Sequence, residues 1–498
     1  MHSSWWVSAL LLVPLVGAGA VAALRHHSLV ARRFALASAG LEMILAIVVA
    51  VLYNAHVAQA STFDFATRWV VSAPLGLAYD VALDGISLTL VLLSCFVALV
   101  AMTSDRTSRR EPAYLAWQLL SLDFSVGAFV AHDLLLFFIF FELVLVPSYF
   151  MVAQWGGASA PRAAMKFFLF TFAGSAPALV AVIYLGVLHQ HQAGGALNFD
   201  YSALSATVMS ATQAVWIFAG LALAFAVKAP LWPLHSWSPP TYGEAPVAAG
   251  AQLAATLSKL GTYGFLRFAL ALTPLAVKSV TPVMLTLAVV AILYGSLVAA
   301  VTRDLRRLAV FSSVAQMGFI TLGIFSGSQL GVTGAVVLMV VHGVGTLGLF
   351  VLIGALERRR GSARLDDVRG LQGTMPVLSG FVTVVAFTTM GVPGLGGFVG
   401  EFLILLGAFG VHPAYAALAT LGTVGAALYW LWAYQRAFHG PRDVGEELSD
   451  ATSSERILLW PVVVLVVALG VVPAPLLSRV APSVQQIVTN VTPTGVSR

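Results

Sequence analysis

Charge is what this sequence has least of. Asp, Glu, Lys and Arg make up 9% of its 498 residues, against about 25% in ordinary soluble domains, while 59% are hydrophobic and the mean hydropathy is +0.91. That balance excludes a soluble globular protein and leaves a polytopic membrane protein. Cysteine is almost absent. With Cys95 alone, disulfides within the chain, CxxC zinc sites and all-cysteine iron–sulfur ligation are excluded, so redox chemistry around this chain is done by other chains. Also missing are a P-loop, a GxSxG elbow, a metal motif and a dinucleotide fingerprint in strand-to-helix context. The net charge of +5 and pI near 9.4 do not point to nucleic acid, because the basic residues lie in short loops between apolar runs and set topology.

What is present is a series of long apolar runs. A spanning helix needs about 20 mostly apolar residues, and roughly fourteen such stretches occur: 5–24, 34–53, 83–102, 113–131, 133–153, 163–188, 214–238, 246–270, 282–301, 305–325, 329–356, 376–410, 414–436 and 456–477. The first lacks a basic leader and carries Trp5 and Trp6 as interfacial anchors, so it reads as a retained helix rather than a signal peptide. Of the 26 Lys and Arg, nineteen fall in the loops that follow odd-numbered spans. Basic loops stay in the cytoplasm, which predicts a multi-pass membrane protein with both termini outside. Arg68, Arg267, Lys278, Arg479 and Arg498 fall on the opposite side. The loops at 54–82 and 189–213 are too short to fold alone, and 437–455 is the most polar.

Two spans are interrupted. Pro230 and Pro233 follow Lys228 in the seventh, and Pro393 stands among glycines in GVPGLGGFVGEF of the twelfth. Broken helices at membrane depth are tolerated only where protein or water surrounds them, and a pair of them five helices apart marks structural repeats around a midplane site. Ionisable residues within the spans are few: Glu142, Lys228, Lys259, His342 and Glu401 place three basic groups between two acidic ones along the chain. Each is costly in lipid and calls for a bundle interior or a hydrated path. Burial and a partner charge shift a lysine or a carboxyl in opposite senses, so a Lys/Glu couple whose spacing changes can load and release a proton. The bland alternative for any one of them is a static ion pair.

Spacing supports a lined path. Gln252, Thr256, Lys259 and Tyr263 recur at i, i+4, i+7 and i+11, one face of a helix. Ser312 and Gln316 lie four apart in the tenth span, as do His342 and Thr346 in the eleventh. Weaker candidates are His235 beyond the prolines, Asp133 beside His132 at the start of the fifth span, and Asp123 and Glu42 within spans four and two. Asp84, in LDGISL, most simply caps the third span.

FFELVLVPSYFMVAQWGG, KAPLWPLHSW with EAP following, LSKLGTYGFLRF, FSSVAQMGFITLGIFSGSQL, the HG of span eleven and GFVGEF together resemble the antiporter-like subunits of respiratory complex I, over residues 80 to 440. The resemblance implies an all-α fold of fourteen transmembrane helices. It implies three N-terminal helices (1–112), two inverted five-helix repeats (113–270 and 282–436) with one broken helix each, and a last helix with a tail (456–498). It further implies that Glu142 pairs with Lys228, that Lys259 is the connecting lysine, that His342 leads to the second half-channel and that Glu401 is the terminal glutamate. Glutamate at 401, and no long helix after residue 477, favour the M branch of the family over the L branch. The tenth-span histidine common in the family is replaced by Gln316, which can act as a water-mediated link but cannot take a full proton. The loop HSWSPPTYGEAP also lacks the family's LPDAH pattern. The implied function is proton translocation in the membrane arm of an NADH:quinone oxidoreductase, and the implied location is the bacterial inner membrane. Such a subunit has no cofactor of its own; NADH, FMN, iron–sulfur clusters and quinone are bound by partner subunits, and neighbouring antiporter-like chains and lipid are its contacts. The alternative is a subunit of a multi-chain Na⁺/H⁺ antiporter of the same fold, and a structural scaffold is a third reading, disfavoured by the five buried ionisable groups.

Overall fold

The structure is a computed structural model in which residues 5–53, 63–105, 111–440 and 448–491 are described. Helices α1 (Trp6–Ala23) and α2 (Ser28–Leu52) lead to an antiparallel hairpin, β1 (Asp64–Ser72) and β2 (Leu77–Leu83). Helix α3 (Gly85–Ser104) then starts at a capping box, in which Asp84 Oδ1 accepts from Ser87 N at 2.8 Å and Ser87 Oγ accepts from Asp84 N at 2.9 Å. Asp84 therefore caps as the sequence predicts. The next elements are α4 (Pro112–Val130), α5 (Leu134–Leu143), α6 (Leu145–Trp155), α7 (Ala160–Ala193), the short α8 (Tyr201–Ser205) and α9 (Ala211–Lys228). α5 and α6 together fill the expected fifth span, and Pro147, which lacks an N–H, lies just past the junction at Val144.

Helix α9 stops at Lys228, and the chain turns through Pro230 and Pro233 before α10 (Ser238–Glu244). The expected eighth span is not one α-helix. It is assembled from α11 (Val247–Gln252), a π segment at Leu253–Leu257, α12 (Ser258–Gly264) and a second π segment at Phe265–Leu270. Single-turn π segments of this kind recur at functional sites. Then come α13 (Val277–Val301), α14 (Leu305–Ile324), α15 (Gln329–Arg360), the one-turn α16 (Leu371–Thr374) and α17 (Pro376–Thr389). α17 ends where Gly391 (φ +71°) and Gly394 (φ +90°) take left-handed backbone that favours glycine, and α18 (Gly396–Val411) begins beyond them. Both interruptions expected from the sequence are thus observed. α19 (Pro413–Phe438), α20 (Ser453–Val471) and α21 (Ala474–Val491) complete the chain.

Among the described residues, twelve helices are long and apolar enough to cross a membrane. The two remaining expected spans are the composite at 247–270 and the pair α17 and α18. At the centre stands α15, buried continuously from Gly331 to Leu356. It packs against α14 and α18, and further against α3, α17, α20 and α21. In contrast, α2, α7, α19 and α20 turn leucine, isoleucine, valine and phenylalanine outward, as lipid-facing helices do.

The loops that carry most basic residues share one face, because they bond to each other: Arg32 to the Asp105 carbonyl, Arg306 to the Gly243 and Ala245 carbonyls and to Glu357, and Arg359 to Glu455 and Asp450. The hairpin, the 131–133 link and residues 198–200 lie together on the other. Two departures from expectation stand out. Residues 64–83 form a β-hairpin where only a loop was foreseen. Arg267, counted as an outer-loop cation, is 3% exposed and paired with Asp84, which the cap alone did not reveal. Arg106, Arg109, Arg110, Arg442 and Arg498 lie outside the described residues.

Candidate functional site

The last residue of α9 supplies the first cation. Lys228 is 1% exposed, and its Nζ donates to the Phe141 carbonyl at 2.6 Å while standing 4.0 Å from the centroid of the same residue's ring. Its placement depends on close packing: a Cβ at Gly261 would lie 2.4 Å from the Phe225 carbonyl oxygen and 2.7 Å from Ala229 N, so glycine lets α12 touch the end of α9. Trp237 Nε1 donates to the Val227 carbonyl at 2.9 Å and closes the turn beneath. Glu142 follows Phe141 in sequence. Its carboxylate oxygens are both buried and accept no hydrogen bond, yet it is close enough to Lys228 for their charges to interact. The expected pair is therefore present as neighbours, with the lysine proton directed to a backbone carbonyl next to the carboxylate instead of to it.

Lys259, on α12, is fully buried. Its Nζ reaches the Ala254 carbonyl of the π segment at 3.0 Å, Ser258 Oγ at 3.2 Å and His342 Nδ1 at 2.6 Å. No carboxylate within ion-pairing distance balances it among the described residues. Between two nitrogens 2.6 Å apart there is room for one hydrogen. Either the ammonium donates to a lone pair on Nδ1, or Nδ1–H donates to a neutral amine. On its far side, His342 Nε2 lies 3.4 Å from Thr346 Oγ1, one turn along α15. The contact between Lys259 and His342 could not be read from either helix separately.

The third group sits where α17 breaks. Gln316 Nε2 donates to Glu401 Oε1 at 2.8 Å and to the Thr389 carbonyl at 3.1 Å, and Thr423 Oγ1 lies 3.4 Å from Glu401 Oε2. Gln316 Oε1 is buried and accepts nothing. Gly391, at the break, runs so close that a Cβ there would come within 2.7 Å of Glu401 Oε2. A Cβ at Gly345 of α15 would stand 3.6 Å from Thr389 Cγ2, so the His342 helix and the Gln316–Glu401 group meet across Thr389. Ser312, one turn from Gln316, takes a hydrogen bond from Tyr429 at 2.8 Å and another from Trp430 at 3.3 Å.

The structure thus gathers Lys259 with His342 and Gln316 with Glu401, and sets Glu142 beside Lys228. No hydrogen bond among the described residues joins the three groups directly. The straight polar stripe foreseen on the eighth span is not kept, because the π segment Leu253–Leu257, which contains Thr256, lies between Gln252 and Lys259. Tyr263 turns to another partner, donating to the Phe129 carbonyl at 2.9 Å. Ser258, Thr389 and Thr423 were missed; small hydroxyl residues in apolar helices are too common to single out by type. His235 is buried against Tyr294, with ring centroids 5.0 Å apart. Beside it, Lys166 donates to the Ser236 carbonyl at 2.7 Å, at the edge of a cavity of about 760 Å³ lined by Arg162, Lys166, Glu244, Arg306 and Glu357. Asp133 caps α5 through Leu136 N at 2.9 Å. Glu42 and Asp123 are buried on α2 and α4.

Comparison with known proteins follows this geometry. The family described as NADH:quinone oxidoreductase/Mrp antiporter, TM, matches residues 131–427. NADH-quinone oxidoreductase subunit M of Pseudomonas aeruginosa is 37% identical over 494 residues, covering 96% of each chain. A chain of respiratory complex I from Thermus thermophilus with bound NADH superposes with a TM-score of 0.88 at 32% identity, covering 98% of this chain and all of that one. A chain of the Mrp complex from Dietzia sp. DQ12-45-1b reaches a TM-score of 0.85 at 20% identity, covering 99% and 98%; this likeness is one of fold.

Proposed function

This chain belongs to the NADH:quinone oxidoreductase/Mrp antiporter membrane family, and from that premise we propose that it is a proton-translocating subunit in the membrane arm of an NADH:quinone oxidoreductase. The relatives that carry that name cover nearly its whole length at more than a third identity, whereas the antiporter complex shares the fold at 20%. The oxidoreductase reading is therefore preferred to the Na⁺/H⁺ antiporter. NADH, FMN, iron–sulfur clusters and quinone are assigned to partner subunits, and this chain's part is to hold and move protons. We read 113–270 and 282–436 as the two repeats, the basic loops as cytoplasmic and both termini as lying outside.

The observation that carries the reading is the 2.6 Å contact between Lys259 and His342, a buried base pair that shares one proton with no carboxylate to fix it. A change in charge at Glu142 alters the field at Lys228, and the shift passes toward Lys259 in the adjoining helix. His342 then takes the shared proton at Nδ1 and can release one from Nε2 toward Thr346. Gln316, an amide that cannot be protonated at neutral pH, orients water between that point and Glu401. Glu401 receives the proton and passes it outward.

NADH-driven acidification of inverted membrane vesicles tests this. Lys228→Ala and Glu142→Ala should each abolish pumping while the complex still assembles and still oxidises NADH with an artificial acceptor. Near-normal acidification in both variants overturns the proposal.

A further inference from the structure

On the face opposite the basic loops, three segments remote in sequence bring their side chains to one point. Asp80 comes from β2, His132 from the link between α4 and α5, and Asp200 from the residue before α8. His132 Nδ1 is 3.4 Å from Asp80 Oδ2 and 3.8 Å from Asp200 Oδ2, and one donor atom from each residue lies within 4.8 Å of the other two. In a tetrahedral site with bonds of about 2.1 Å the ligand atoms stand about 3.4 Å apart. All three residues are buried.

The backbone fixes them there. His132 N donates to the Asp80 carbonyl at 2.9 Å, Tyr201 N donates to the His132 carbonyl at 3.1 Å, and Asp200 Oδ1 is already used in capping Ala203 N at 2.9 Å, which leaves Oδ2 for the cluster. His132 is more than nine-tenths buried, its ring packs edge-on against Phe63 at 4.4 Å, and among the described residues its Nε2 has no hydrogen-bond partner. Asp133, the bridge partner of Asp200, adds a further buried carboxylate oxygen without a partner. Buried charges of one sign gather where they are paired or coordinate a metal. The pairing cation here is a loose one: Arg68 stands 4.0 Å from Asp80 Oδ2 and 3.7 Å from Asp200 Oδ2, its side chain is 47% exposed, and it donates to Asn198 Oδ1 at 3.4 Å.

We propose that Asp80, His132 and Asp200 form a binding site for a divalent metal ion of zinc's class, reached from the hairpin face by outward movement of Arg68. The donor set of one imidazole nitrogen and two carboxylate oxygens suits zinc, which takes three protein ligands and leaves a position for water. Nδ1 gives its lone pair to the ion and the ring hydrogen sits on Nε2. The ion ties the hairpin to the start of α5.

The test uses the assembled complex purified from membranes, stripped with chelator and titrated with zinc chloride alone. Zinc retained per complex should be one more in the wild type than in His132→Ala, with an X-ray absorption spectrum showing nitrogen and oxygen ligands only at the additional ion. Asp80→Asn and Asp200→Asn should weaken binding tenfold or more, and Arg68→Ala should tighten it by removing the competing cation. Equal zinc in the wild type and in both His132→Ala and Asp200→Asn overturns the proposal, as does weaker binding in Arg68→Ala, the result expected of a plain ion-pair network. Each variant is first checked for assembly by NADH oxidation with an artificial acceptor.

Discussion

At Lys259 the contest is between leaving a cation buried and giving up its proton to a neighbour. The ammonium has a carbonyl, a hydroxyl and an imidazole nitrogen as acceptors, enough to satisfy all three N–H groups but without a full negative charge. That makes the proton transferable. His342→Ala should leave Lys259 two acceptors and no base, so pumping should fall at least tenfold in vesicles while the complex assembles; His342→Gln, which restores an acceptor but no base, should not recover it. At Gln316 the prediction concerns both stability and transport. Gln316→Leu strips Glu401 Oε1 of its donor, and an orphaned buried acceptor costs about 1–3 kcal/mol. The midpoint of thermal unfolding should drop and pumping should slow, while Gln316→His, which restores a donor, should recover pumping. Of these contacts only the residue types were legible in the sequence. The partners come from helices 83 and 85 positions apart, and periodicity within one helix does not report which face meets which neighbour.

Elements set the distances. Gly261 is the point where α12 rests on the end of α9, and a methyl there meets backbone atoms, which cannot rotate away. Gly261→Ala should cost about 1–3 kcal/mol as overpacking does and, by moving Lys228 relative to Lys259, lower pumping more than NADH oxidation. At the end of α17 remote from the other break, the helix is capped from far away in sequence: Asp450 accepts from Val377 N at 2.9 Å and from Leu378 N at 3.0 Å. Burial raises its pKa, but these two N–H groups, with Ala451 N and the charge of Arg456, outweigh that and hold it below the ordinary carboxylate value. A depressed folded pKa gives stability that is present above the unfolded value and lost as pH falls through the folded one. Asp450→Ala should therefore cost about 1 kcal/mol at neutral pH, with the difference from wild type fading under acid conditions; unfolding followed at two pH values checks it. The breaks themselves were legible, since proline and clustered glycine announce them. The π segments were not, because LAATL and FLRFAL contain nothing that forbids an α-helix; the hairpin was hidden by apolar residues on its exposed edge, although Pro74 and Gly76 mark its turn.

For the whole molecule, charge segregation was the most legible feature. Basic residues on alternate loops foretold which loops would meet, and the bonds between those loops bear this out. Arg267 broke the rule because a cation buried with an aspartate no longer reports on a surface. The two faces can be assigned by labelling. Cys95 is buried and silent, so Leu75→Cys at the hairpin turn and Arg364→Cys in the loop after α15 each give one reactive thiol. A membrane-impermeant maleimide should label Leu75→Cys from outside intact spheroplasts and Arg364→Cys only in inverted vesicles.

The enclosure of α15 has a consequence for how the protein is made. Helices enter the bilayer before they pack against one another, and α15 arrives as an apolar helix with lipid on every side that α3, α14 and the 247–264 segment leave open. Its other neighbours, α17, α18, α20 and α21, are synthesised later. The surroundings of His342 are therefore completed only when the carboxyl-terminal helices have been inserted, and a chain stopped after α19 should hold the histidine in place yet leave its helix open to lipid on the side that α20 and α21 cover.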